Sequence, residues 1–175
     1  MPASGQSRRA WGWHRLADEW AARVVAAAAV LPGELVLDLG AGDGALTANL
    51  VRAGARVVAV ELHPGRAATL RRRFPQVTVV QADVMSLPLP GRPFRVVASP
   101  PYTVTARLLD LLLAPGSRLV AADLVLQQAV VRKYSSRGSS RAGRGYRTTA
   151  GITLPRRAFR PPPRVDSAVL VVRRR

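Results

Sequence analysis

Cysteine is absent from the 175 residues, so the chain has neither disulfides nor thiolate metal sites. That fits a reducing compartment. The two histidines, His14 and His63, are too few to form a metal cluster by themselves. Lysine is reduced to a single residue, Lys133, and arginine supplies the remainder of the 27 basic side chains. Acidic residues number only ten, which leaves a net charge of +17. No long hydrophobic run is present either. The most apolar early stretch, "VVAAAAVL" at 24–31, is bracketed by Arg23 and Glu34, whereas a bilayer span needs about 20 residues. No signal-peptide cleavage pattern follows it. It reads as a buried helix, and the protein as cytoplasmic with no membrane contact.

Arginine is what the sequence has in excess. Its planar guanidinium pairs bidentately with phosphate, and an imbalance of this size points to a polyanionic partner, above all nucleic acid. A GC-rich genome accounts for arginine over lysine, but not for basic over acidic. With 48% apolar residues, the chain has enough material for one domain with a sizeable core.

Continuous apolar runs alternate with helical segments. Strands are expected at 33–40, 55–61, 77–83, 94–99 and 118–127, and helices at 16–31, 44–53, 64–73 and 103–113. Pro64 suits the first turn of its helix. The fifth strand runs on as a helix to about Tyr134. Segment 135–147, rich in arginine, glycine and serine, reads as a mobile loop, and 148–154 and 165–172 as two late strands. The alternation calls for a parallel sheet covered on both faces. With no helix between them, the late pair is expected to be antiparallel.

After the first strand comes "DLGAGDGALT" (38–47), a loop with Gly40, Gly42 and Gly44 that opens a helix. Such loops at the carboxyl ends of parallel strands bind ligands. Glu61 closes the second strand, where an acid accepts hydrogen bonds from ribose hydroxyls. Asp83 closes the third, within reach of an adenine amino group. A dinucleotide fingerprint places its third glycine one residue later. Asp38 and Asp43 also put negative charge beside the loop, which opposes a pyrophosphate and favours a sulfonium with an amino group. The expected cofactor is S-adenosylmethionine, with NAD as the alternative.

The fourth strand ends in "SPPY" (99–102). By itself this is compatible with a plain proline turn. Together with the glycine loop, Glu61, Asp83 and the closing "AFRPPPRVDSAVLVV" (158–172), it resembles the rRNA adenine N6-methyltransferases: the Erm macrolide-resistance enzymes and the KsgA-type dimethyltransferases. The resemblance covers about residues 12–172. It implies an α/β fold of the Rossmann-like class I S-adenosylmethionine-dependent type, with a mostly parallel seven-stranded sheet and an antiparallel last strand. It also implies catalytic roles for Ser99, Pro100, Tyr102 and Phe159. The Ser99 side chain and the Pro100 carbonyl accept from the target amino group, Tyr102 stacks on an extruded base, and Phe159 closes the pocket opposite. Cofactor contacts are implied for His14, Leu16, Asp38, Gly40, Gly42, Glu61, Leu62, Asp83, Val84 and Ser99.

The sequence departs from the family pattern in three places. Ser99 stands where Erm enzymes usually have asparagine, and it reaches less far. "GWHRL" (12–16) replaces G-Q-N/H-F-L, so Trp13 takes the glutamine position, there to cover cofactor or RNA or else to pack a helix. The chain also stops at Arg175, where family members continue into a helical C-terminal domain. The expectation is a single catalytic domain over 1–175, with a basic N-terminal segment at 1–13 and no C-terminal RNA-binding domain. It would act as a monomer on 23S rRNA, naked or in an assembling large subunit. RNA contacts are then expected from Arg8, Arg9, Arg137, Arg141, Arg144, Arg147, Arg156, Arg157, Arg160 and Arg164. Arg71–Arg73 read as solvated and remote from the pocket, while Arg173–Arg175 are left open between the two roles. The alternatives are a KsgA-type small-subunit dimethyltransferase and a non-catalytic RNA-binding relative. A DNA adenine methyltransferase lacks room for its target-recognition segment.

Overall fold

Neighbouring residues of the apolar runs bury on opposite sides of one sheet. Val36 and Val97 join a core on one face, and Leu37, Leu39, Val96 and Ala98 join a second core on the other. The period of two along a strand produces this division, and it explains why runs such as "LVLDL" are apolar throughout. A computed structural model describes residues 13–136 and 145–175. Its strands are β1 (Arg15–Leu16), β2 (Leu35–Leu39), β3 (Arg56–Val60), β4 (Thr78–Val80), β5 (Phe94–Ala98), β6 (Leu119–Gln127), β7 (Tyr146–Leu154), β8 (Phe159–Arg160) and β9 (Ser167–Arg174). Its α-helices are α1 (Asp18–Ala28), α2 (Ala45–Arg52), α3 (Pro64–Arg73), α4 (Thr105–Leu112) and α5 (Gln128–Ser135).

Seven strands form the sheet in the order β4-β3-β2-β5-β6-β9-β7. β2 to β6 are parallel, β9 runs antiparallel to β6, and β7 pairs antiparallel with β9. This is the expected α/β architecture, including the reversed last strand and the antiparallel late pair. Apolar faces of α1 and α2 pack into the first core, while Leu108, Leu109 and Leu112 of α4 and Val131 of α5 pack into the second. The strand order reverses between β2 and β5, and the crevice beyond their carboxyl ends is where such sheets hold ligands.

Several boundaries differ from the sequence expectation for physical reasons. The first helix starts at Asp18, because Arg15 and Leu16 are drawn into an antiparallel pairing with Arg160 and Phe159. It ends at Ala28, where Ala29 turns left-handed at φ 51°. The third strand is only Thr78–Val80, which leaves Asp83 in the following loop. Segment 135–147 is not all loop. Ser135 ends α5, and Tyr146 and Arg147 already belong to β7. Arg8, Arg9, Arg137, Arg141 and Arg144 lie outside the described residues.

No helix among the described residues is long and apolar enough to cross a membrane. Arg95, 8% exposed, anchors the C-terminal end of α1 to the sheet. Its guanidinium donates to the Ala28 carbonyl at 2.5 Å and pairs with Glu34 at 3.0 Å.

Candidate active site

A cavity of about 310 Å³ opens at the crevice. Glu61, Leu62, Asp83 and Val84 line one end of it, and Ser99, Pro100, Tyr102 and Phe159 the other. A smaller adjoining space of about 20 Å³ lies between Leu16, Asp38 and the glycine loop. His14, Gly40 and Ser99 border both. The loops after β2 and β5 touch directly: a Cβ on Gly40 would lie 3.1 Å from the Pro101 ring.

Asp38 is 1% exposed. Its Oδ2 accepts from the Thr47 hydroxyl at 2.7 Å, and its Oδ1 has no partner among the described residues. Burial pushes its carboxyl up to about 7; the Thr47 bond opposes that rise, and the charge of Glu61 adds to it. A buried oxygen without a partner costs free energy, and a donor group from a ligand relieves that cost. Glu61 is also buried, with Oε2 accepting from the Leu62 N–H at 2.8 Å and Oε1 from Arg66 at 3.1 Å. Asp83 Oδ1 accepts from the Met85 N–H at 2.9 Å.

Gly42, expected to contact the cofactor, does not itself line the cavity, and Trp13 covers it. A Cβ there would sit 2.7 Å from the indole Nε1, and the residue holds φ +61°. The Arg66 guanidinium lies over the same indole, 4.2 Å from its centroid. Trp13, Arg66 and Glu61 therefore form one connected group over the glycine loop. Arg66 is missing from the sequence reading. Its only signal was an arginine in the first turn of the helix that follows the acid.

Gly44, the early third glycine, has a packing reason: a Cβ there would meet the Phe74 ring at 2.6 Å. Arg73 is neither remote nor merely solvated. It donates to the Asp43 carbonyl within the glycine loop and lies over Phe74.

At the other end, the Tyr102 hydroxyl and Ser167 Oγ share a hydrogen bond of 2.8 Å. Burial raises the phenol's pKa, and the Ser167 bond partly offsets this. His14 stacks beside the Tyr102 ring at 6.0 Å between centroids and 25° between planes. Its Nδ1 donates to the Pro161 carbonyl at 2.7 Å. The Ser99 side chain makes no hydrogen bond among the described residues and is free to accept. Phe159 is 1% exposed and belongs to the core as well as the cavity wall.

Arg156, Arg157, Arg160 and Arg164 are all exposed and flank Phe159 in sequence, and their guanidinium groups form no ion pair among the described residues. Arg147 stands apart, at the far end of β7 from Leu154. At about 3.3 Å per residue the two are roughly 23 Å apart. Arg173 and Arg174 are structural. Arg173 grips Asp123 with two nitrogens at 3.0 and 3.1 Å, and Arg174 bonds the Leu119 carbonyl at 2.8 Å.

The family model described as ribosomal RNA adenine dimethylase matches residues 6–175. The chain belongs to that family. It is therefore an rRNA adenine methyltransferase whose methyl donor is S-adenosylmethionine. Among relatives of this dimethylase family, the Ribosomal RNA small subunit methyltransferase A of Synechococcus sp. (strain RCC307) is 38% identical over 97% of this chain and 70% of its own length. The mycinamicin-resistance protein MyrB of Micromonospora griseorubida is 38% identical over 80% of this chain and 47% of its own. The crystal structure of the 23S rRNA methyltransferase ErmE superposes with a TM-score of 0.83 at 33% identity, covering 91% of this chain and 69% of that one. The chain thus spans between 47% and 70% of the length of these relatives.

The residues present fit the donor. Asp38 Oδ1 would give an acceptor to its amino group, Glu61 a carboxylate to its ribose, and Asp83 and Val84 a wall to its base. Trp13 adds a cover that the family pattern lacks.

Proposed function

We propose that this chain methylates N6 of an adenine in 23S rRNA and thereby confers macrolide-type resistance. The observation that carries the reading is Ser99-Pro100-Pro101-Tyr102 facing the same cavity as Glu61 and Asp83. Support for 23S rRNA comes from the paired prolines and from the likeness to ErmE, and support for resistance from the likeness to the mycinamicin-resistance protein MyrB.

When bound, S-adenosylmethionine supplies an electrophilic methyl on a cationic sulfur. The chain's own task is to present the adenine amino group to it. That nitrogen's lone pair is delocalised into the ring. Ser99 Oγ and the Pro100 carbonyl accept hydrogen bonds from its two N–H groups and draw it toward tetrahedral geometry. Pro100 and Pro101 fix φ and leave the ladder, which holds the carbonyl in place. Tyr102 stacks on the extruded base, a contribution of about 1–3 kcal/mol. Arg156, Arg157, Arg160 and Arg164 hold the RNA backbone around the entrance.

A KsgA-type activity on small-subunit rRNA is the second reading, favoured by the likeness to the Synechococcus protein. Incubation with labelled donor and separated 16S and 23S rRNA, followed by mapping of the modified base, decides between them. Label on a 23S adenine supports the proposal; label confined to 16S overturns it in favour of the second reading.

A further inference from the structure

The closing motif "VDS" (165–167) has no role so far, yet its serine reaches the active site. Ser167 opens β9, between Gln127 of β6 and Leu154 of β7, and is 0% exposed. Its hydroxyl meets the Tyr102 hydroxyl at 2.8 Å. Asp166 fixes the approach to this position: its carbonyl accepts from the Gln128 N–H at 3.1 Å, and its side chain from the Arg156 N–H at 3.1 Å. The serine therefore projects from a point tied to two neighbouring segments.

Tyr102 is restrained from three directions. Two prolines precede it and fix its backbone, and it opens a short 3-10 turn, Tyr102–Val104. His14 lies beside its ring. Neither restraint fixes how far the ring swings about its Cα–Cβ bond, where more than one staggered well is open to it. The hydroxyl lies at the far end of the ring, on the axis of the Cβ–Cγ bond, so a hydrogen bond there pins that swing. Stacking on a base requires the ring to stand in a defined place, and a tethered hydroxyl holds it there before the base arrives.

We propose that Ser167 is a positioning residue for methyl transfer, acting through the Tyr102 hydroxyl to hold in place the ring on which the target adenine stacks. This rests on the stacking role of Tyr102 given above. It also supplies a reason for tyrosine over phenylalanine at position 102 and for serine at the start of the last strand.

The test compares wild type, Ser167→Ala, Tyr102→Phe and the double variant, with radiolabelled S-adenosylmethionine and total rRNA under single-turnover conditions. Each single change removes one partner of the same bond, so each should slow transfer about five- to tenfold, the size expected for one net hydrogen bond. The double variant should be no slower than the slower single. Donor affinity by calorimetry and the melting temperature should stay close to wild type, since Glu61 and Asp38 are untouched. Wild-type rates in Ser167→Ala, or fully multiplicative losses in the double variant, overturn the proposal while leaving the methyltransferase reading intact. A rate loss that tracks weakened donor binding or a lowered melting point overturns it too, because the serine is then only structural. If wild type itself labels no rRNA, the methyltransferase reading fails and the inference falls with it.

Discussion

Replacing Glu61 by glutamine tests the donor half of the site. In the wild type both carboxylate oxygens already accept a bond, from Leu62 N–H and from Arg66, and each retains a lone pair for a ribose hydroxyl. Glutamine keeps one acceptor and turns the other into an amide that faces these donors. A hydrogen bond to a charged group contributes about 1.5–3 kcal/mol. Losing one such bond and weakening the other should cost about 2–3 kcal/mol of donor binding, or roughly 30- to 140-fold in Kd at about 1.4 kcal/mol per decade. Calorimetry with S-adenosylmethionine measures this directly, and a melting curve checks that Arg66, stripped of its partner, has not unfolded the site. S-adenosylhomocysteine is the control, because it has the ribose but no sulfonium. Equal losses for both ligands fit ribose binding. A Kd within twofold of wild type, or a loss seen only with the cationic donor, would refute the reasoning.

Other expectations concern pH, salt and reach. Asp38 holds its proton up to about pH 7 when folded, whereas an unfolded aspartate releases it near 4. Between those values the folded state binds more protons, so stability should fall as pH rises from about 4 to 7. Affinity for the cationic donor should climb over the upper part of that window, and Asp38→Asn should flatten both trends in urea titrations and calorimetry. Changing Arg156, Arg157, Arg160 and Arg164 together to glutamine should lower the slope of log affinity for RNA against log salt by about 3. Arg147→Gln should leave that slope near wild type in filter binding; an equal effect from Arg147 would mean the RNA path does not follow the cavity entrance. Ser99→Asn should keep or raise the transfer rate, and a dead variant would show that the β5 loop is not spaced for the longer side chain.

The parallel strands were legible in the sequence because a strand buried on both faces is apolar at every position, as in "FRVVA", where even Arg95 is taken into the interior. The site was legible because its parts follow strands directly: Gly40 after β2, Glu61 after β3, Ser99 after β5. What escaped was contact between distant segments. Arg15 and Leu16 pair with Arg160 and Phe159 across most of the chain, and two residues carry no periodicity that would announce a strand. Trp13 over Gly42 and Arg66 on Glu61 are likewise meetings that only the fold arranges. Arginine was the hardest type to read. Arg73, Arg173 and Arg174 hold carbonyls and carboxylates, Arg156 and Arg157 face solvent, and nothing in the local sequence separates the two groups.

The pairing of β1 with β8 lies outside the main sheet, yet four consecutive residues there each serve a different part of the centre. Trp13 roofs the glycine turn, His14 flanks the tyrosine, Arg15 holds Asp43 at 2.6 Å, and Leu16 is buried opposite Phe159. Trimming the chain up to Ala17 would leave every strand of the large sheet in place while unroofing the donor and base compartments together. One cut there would reach both halves of the reaction at once, at the cost of the buried Leu16.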